Sequence, residues 1–218
     1  MVKKNWSMTM EKKNNEGVLI VISSPSGTGK TTICKKLLEF DKNLYLSVSV
    51  TTRKRRLNEI EGIDYYFETK ENFLKLKKEN KFIETAIVFQ NYYGTLKEQV
   101  LDKLADGVDV LIDIDWQSTR QINEYMKHNI VKIFLLPPSL KELANRLSAR
   151  GSESDEEIEF RMSQAVKEIK HFDQYDYVLI NDDVENVFSK IRLIIEVERM
   201  KLMRQKSIKN FVTELSNN

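Results

Sequence analysis

The chain has 218 residues, 41% of them hydrophobic and 31% charged, with Lys+Arg at 35 against Asp+Glu at 33. That balance fits a globular protein with room for one sizeable core and excludes a disordered chain. A formal net charge of +2 argues against a nucleic-acid binder with a broad basic surface. The single cysteine, Cys34, excludes an internal disulfide and any multi-cysteine zinc site; among Ile33, Leu37 and Leu38 it reads as a small core residue. No apolar run reaches the roughly 18 residues that span a bilayer, so no membrane partner is expected, and the expected location is the cytoplasm.

Residues 1–16 are polar and lysine-bearing, without the apolar stretch of a secretory signal, and are expected to form a disordered tail. Val18–Ile22 is wholly apolar and β-branched, the pattern of a strand buried on both faces of a parallel sheet. A turn-rich stretch, residues 23–29, leads into an amphipathic helix with Ile33, Cys34, Leu37 and Leu38 at helical spacing. Further buried strands are expected at 108–114, 130–136 and 177–180. Helical stripes separate them: Leu140, Leu143, Ala144 and Leu147; Ile158, Met162, Ala165, Val166 and Ile169; and a long C-terminal stripe from Val184 to Ile195. Ser139 with Glu142 reads as a capping box.

Alternating strands and helices imply an α/β fold with a parallel sheet flanked by helices. Short alternating runs at 44–50, 65–67, 82–88 and 91–94 predict a small, mostly antiparallel insertion. Residues 149–159 carry Arg, Gly, Ser and acids with little apolar content and read as a mobile surface segment. The expected organisation is a core of 17–46, 96–148 and 172–208, an insertion at 47–95, a lid at 149–171 and a tail at 209–218.

The stretch from Ser24 through Pro25, Ser26, Gly27, Thr28, Gly29, Lys30 and Thr31 to Thr32 has the parts of a phosphate-binding loop. Glycines let consecutive backbone N–H groups turn inward on phosphate oxygens, Lys30 reaches the β and γ phosphates, and Thr31 offers a hydroxyl to Mg²⁺. The helix that follows presents its positive end to the anion. Ser24 occupies the first position of the strict glycine pattern. The loop implies ATP or GTP binding and leaves the acceptor open.

A set of motifs carries a family resemblance: Ser47 to Arg56 with Glu59, Gly62 and Asp64–Phe67; Phe82–Thr85; Asn91–Gly94; Leu111–Gln117; Arg146 to Gly151; and Asn181–Asp183. In this order they resemble guanylate kinases, over about residues 17–183. The resemblance implies a phosphate-loop sheet with an inserted mixed α+β GMP-binding domain, a helical lid, ATP and GMP as substrates, and Mg²⁺ with ATP. Arg53 and Arg56 offer forked donors for the GMP phosphate, where a lysine would be a point charge, and the resemblance adds the hydroxyls of Tyr65 and Tyr93. Guanine presents N1–H and a 2-amino group side by side, which one carboxylate can accept together. The resemblance gives that role to Glu84, with Ser49 and Thr95 near the base.

Asp113 and Asp115 lie at the carboxyl end of an expected strand, two residues apart and so on one face. Asp113 is assigned to the metal with Thr31, and Asp115 to the guanine side. Lys30, Arg53, Asp113 and the lid arginines Arg146, Arg150 and Arg161 are the expected catalytic groups, and Asn181 resembles the adenine-side contact. His128 and His171 fit no motif and read as surface residues. Besides Ser24, Asn58 and Ser118 stand where the family carries glycine; Asn58 is expected to tolerate left-handed backbone. A kinase for another nucleoside monophosphate and a non-catalytic binding module are the alternatives. A monomer or homodimer is expected.

Overall fold

The computed structural model describes residues 16–88, 90–127, 129–149 and 154–217. The expected tail before Glu16, His128, and Arg150 with the residues just after it lie outside the described residues.

Five parallel strands form the larger sheet: β1 (Leu19–Ser23), β2 (Leu44–Leu46), β7 (Asp109–Asp113), β8 (Ile130–Leu136) and β9 (Tyr177–Ile180), in the order β2-β7-β1-β8-β9. Along β1 and its lead-in residue the side chains alternate between two cores. Val18, Ile20 and Ile22 meet α1 (Lys30–Phe40) and α7 (Val184–Arg199) through Ile33, Cys34, Leu37, Val187, Ile191 and Ile195. Leu19 and Val21 meet α3 (Lys97–Ala105) and α4 (Trp116–Met126) through Val100, Leu104 and Ile122. A strand with apolar side chains on both faces needs cover on both, and the run 18–22 dictates this layering. Cys34 is 3% exposed, and burial pushes its thiol up, as fits a core residue.

The second sheet has four strands, β3 (Val50–Thr51), β4 (Tyr66–Phe67), β5 (Phe82–Val88) and β6 (Asn91–Leu96), in the order β4-β3-β6-β5. Two of its pairings are antiparallel and one is parallel. The alternating run 44–50 divides between the two sheets, because Leu44–Leu46 pairs with β7 while Val50–Thr51 pairs with β4 and β6. Helix α2 (Lys70–Lys78) supplies the apolar cover for the smaller sheet. Its Phe73 is fully buried and stacks on Phe82 at 4.6 Å between ring centroids. Ile83 of β5 enters the core beneath α3 and α4, so the two sheets share a buried side chain.

Helices α5 (Leu140–Ser148) and α6 (Asp155–Ile169) pack on each other through Leu143, Leu147 and Ala165. Ser139 caps α5 by accepting from the Glu142 amide at 3.0 Å, but the Glu142 carboxylate turns to Arg146 instead of completing a box. The full capping box opens α6: Ser154 and Glu157 each accept from the other's backbone amide, at 3.3 and 2.8 Å. Residues 155–159, expected as irregular, are therefore the start of a helix. Three acids in its first turn, Asp155, Glu156 and Glu157, suit its positive end. The expected tail from 209 is likewise helical, within α8 (Lys206–Ser216).

The carboxylate of Asp109, 2% exposed, accepts the Val18 amide at 2.7 Å through one oxygen and Arg199 at 2.6 Å through the other. Arg199 also reaches Asp41 at 2.5 Å, so the last turn of α7 is tied to the sheet and to the end of α1. Phe73→Ala is expected to remove about 3–5 kcal/mol of unfolding free energy, read by urea denaturation, because the smaller sheet has little else to fill its centre.

Candidate functional site

Residues 24–29 join β1 to α1 as a tight loop. Gly27 and Gly29 have φ of 91° and 106°, the left-handed region that favours glycine. A Cβ on Gly29 would also sit 2.6 Å from Asn181 Nδ2, and one on Gly27 would press on Leu147 of α5 at 3.0 Å. Ser24 is absent from the left-handed residues among those described and is 6% exposed, which explains how a side chain replaces the usual glycine there. Asn58 is not left-handed either, so its position makes no special backbone demand. No side chain caps α1 and its first turn holds no acid, which leaves its first N–H groups for an anion. Pro25 and Thr28 are buried, while Ser26, Thr31 and Thr32 are exposed.

Lys30, the first residue of α1, places Nζ 2.6 Å from Asp113 Oδ1 at the end of β7. Burial works against its charge, but Asp113 more than offsets this and holds the ammonium above its ordinary pKa. The pairing follows from topology: β1 and β7 are neighbours in register, so the loop after one faces the end of the other.

On the smaller sheet, Arg53 follows β3. Both its terminal nitrogens donate to Glu59, at 3.0 and 2.7 Å, and its guanidinium lies over the Tyr65 ring at 5.4 Å. Tyr65 and Tyr93 meet edge to face with centroids 6.0 Å apart. Arg56 remains mostly exposed, with Nη1 3.9 Å from Glu59. Glu84 and Thr95 face each other across β5 and β6, and Thr95 Oγ1 donates to Glu84 Oε1 at 2.7 Å. Glu84 is 3% exposed and its Oε2 has no hydrogen-bond partner. Burial lifts its carboxyl above the ordinary range; the Ser118 and Thr95 hydroxyls partly oppose this and Asp115 adds to it. Ser49 lies half-buried just before β3, its carbonyl accepting the Tyr66 amide at 2.9 Å.

The two halves face each other. Burial raises the Tyr65 phenol, and after that its largest influence is Asp113, with Lys30 acting in the opposite sense. Arg161 of α6 donates to Ser26 Oγ at 2.9 Å on the tip of the loop. Arg146 of α5 donates to the carbonyls of Thr28 and Asn181, both at 3.3 Å, and to Glu142 at 2.9 Å. Asn181, 1% exposed, donates to the Thr28 carbonyl at 2.6 Å and leaves Oδ1 without a partner. Lys30, Asp113, Arg146, Arg161 and Asn181 are thus joined around the loop by direct contacts, Arg53, Tyr65 and Tyr93 form a second group, and the charges of Asp113 and Lys30 bear on Tyr65 between them.

Two expectations change, and two residues enter that had no assigned role. Strand β7 ends at Asp113, so strand alternation does not place Asp115 beside it; Asp115 instead caps α4 by accepting the Ser118 amide at 2.8 Å. His171 is not a free surface residue: its ring stacks on Trp116 at 3.6 Å between centroids. Glu168 of α6 was not foreseen at the site. Burial raises it to about 7, and Lys30 and Asp115 are the charges that influence it most. Its place on an amphipathic stripe gave no sign of this. Glu59, whose carboxylate fixes the Arg53 fork, had a place in the motif but no assigned role.

Among the described residues no group of three or more His, Cys, Asp or Glu could cage a metal ion. The Thr31 hydroxyl and Asp113 carboxylate are hard oxygen donors, which suits a divalent cation that arrives with phosphate oxygens of its own.

A sequence model described as guanylate kinase matches residues 16–198. The chain is 47% identical over 202 residues to a guanylate kinase of Novosphingobium aromaticivorans, covering 93% of this chain and 91% of that one. It is 51% identical over 187 residues to a guanylate kinase of Rickettsia felis, covering 86% and 97%. The crystal structure of guanylate kinase from Anaplasma phagocytophilum superposes with a TM-score of 0.78 at 40% identity, covering 91% of this chain and 95% of that one. The chain belongs to the guanylate kinase family.

Proposed function

We propose that this chain transfers the γ-phosphate of ATP to GMP, giving ADP and GDP, and that dGMP is also accepted. The observation that carries the reading is Glu84: a carboxylate kept nearly dry, with one oxygen held by Thr95 and the other unpartnered. Leaving such an oxygen unpaired is costly, and guanine's adjacent N1–H and 2-amino donors would satisfy it. Adenine lacks that donor pair, so the same site rejects AMP. Ser49 and Asp115 complete the base side of this reading, and Asn181 with its free Oδ1 the adenine side of ATP.

Phosphoryl transfer asks for alignment and charge neutralisation more than covalent chemistry. An oxygen of the GMP phosphate bonds to the γ-phosphorus of ATP as the bond to the β–γ bridging oxygen breaks, and ADP leaves. The loop amides, the start of α1 and Lys30 hold the ATP phosphates. Arg53, Arg56, Tyr65 and Tyr93 hold the GMP phosphate. Arg146 and Arg161, with Arg150 beyond the described residues, bring charge to the transferring group. Mg²⁺ bound with ATP would be held by Thr31 and Asp113, where it supplies further neutralisation of the β and γ phosphates. Enclosure by α5 and α6 excludes water, a competing acceptor.

Lys30→Ala is expected to lower kcat by at least 10²-fold or so in a coupled assay of ADP release. Glu84→Ala is expected to erase most of the preference for GMP over AMP in a panel of GMP, dGMP, AMP, UMP and TMP; retained preference would overturn the base assignment. Glu168 adds a pH dependence. Its folded value of about 7 lies above the model value of 4.5, so its protonated form contributes stability that is complete below about pH 4.5 and lost as the pH rises through 7. Glu168→Gln cannot ionise and is therefore expected to raise Tm by several degrees at pH 8, with most of that gain gone at pH 5.

A further inference from the structure

Helix α4 contacts the smaller sheet at one point that the reaction has not used. Strand β5 is an edge strand of its sheet, so residues on its outer side need acceptors and donors from elsewhere. At Thr85 the need is met by one side chain 36 residues away. The Thr85 amide donates to Gln121 Oε1 at 3.1 Å, and Gln121 Nε2 donates to the Thr85 carbonyl at 2.9 Å. The carboxamide thus pairs with the strand edge as another peptide unit would. Ser118, one turn earlier on the same side of α4, is 3% exposed, and its hydroxyl lies near the Glu84 carboxylate. It favours the charged form there, although Oε2 accepts no bond of normal geometry.

Thr85 is the residue after Glu84. It stands opposite Gly94 in the register with β6, and its own N–H and C=O both turn outward to Gln121. A register irregularity between Phe82 and Glu84 loosens the ladder immediately before this point, so the strand there has fewer of its own constraints. Helix α4 in turn starts from the Asp115 cap, two residues beyond Asp113.

We propose that Gln121 is a positioning residue for base selection: its clamp on the Thr85 peptide holds the Glu84 carboxylate at the place where guanine is read. This rests on the assignment of Glu84 to guanine. Gln121 is exposed, so its removal leaves no cavity and the fold survives substitution.

The test compares GMP with IMP, whose base keeps N1–H and lacks the 2-amino group, so the ratio of their kcat/KM reports how well one carboxylate meets both donors. Gln121→Ala is expected to raise KM for GMP about tenfold and to lower the GMP-to-IMP ratio by a similar factor, a displacement effect at one hydrogen bond. KM for ATP and Tm should stay close to the parent values. Gln121→Glu, which keeps the acceptor for the Thr85 amide and loses the donor, should fall between. Unchanged GMP-to-IMP ratio in Gln121→Ala, or an equal loss with both acceptors, means a merely structural contact and overturns the proposal. Glu84→Gln measured alongside separates the two claims. If it leaves the ratio unaltered, the base assignment fails and the clamp on base selection fails with it. If it collapses the ratio while Gln121→Ala does not, only the clamp is wrong. In the double variant the ratio should be no lower than in Glu84→Gln, since one residue acts through the other.

Discussion

Four cationic side chains of the candidate site each already have a protein acceptor. Lys30 has Asp113, Arg53 has Glu59, Arg146 has two backbone carbonyls and Glu142, and Arg161 has Ser26. Each partner offsets the repulsion that like charges near one another would otherwise feel. The partners are of a kind that phosphate oxygens can replace: single carboxylates, a hydroxyl and carbonyls. A cleft built this way keeps its cations in place and oriented before any anion arrives, so little reorganisation is left for the moment of transfer.

Glu84 follows the opposite rule. The phosphate side is crowded with satisfied charges, whereas the base side keeps one carboxylate oxygen dry and idle. In the proposed function, discrimination rests on that difference. Phosphate is common to every nucleotide, and a strong grip on it gives affinity without choice. A half-satisfied buried acceptor gives little affinity on its own and a large penalty for the wrong partner.

Much of this was legible from residues alone. The doubly apolar run at 18–22, the spacing of Gly27, Gly29 and Lys30, and the β-branched stretches at 130–136 and 177–180 each carry a period or a backbone demand that survives any tertiary context. The motif around Glu84 gave its expected role by resemblance. Other features were not legible, for physical reasons. Asp115 looked like a strand residue because alternation cannot tell where a strand stops, and its side chain was needed to cap α4. The start of α6 hid in a run of acids and serines that reads as solvated chain until the Ser154 and Glu157 box is recognised. The stacking of Trp116 on His171, the burial of Glu168 and the hold of Gln121 on Thr85 join residues far apart in sequence through single contacts, which leave no repeating pattern to find.

The tie from Arg199 to Asp109 and Asp41 has a consequence for synthesis. Asp109 belongs in a nearly waterless corner beside the first strand, and the cation that neutralises it comes about ninety residues later. Until then one of its oxygens has the Val18 amide and the other lacks its cation. A chain that stops short of Arg199 therefore leaves the buried Asp109 carboxylate without its cationic partner, and the join between the sheet and the end of α1 without its bridge.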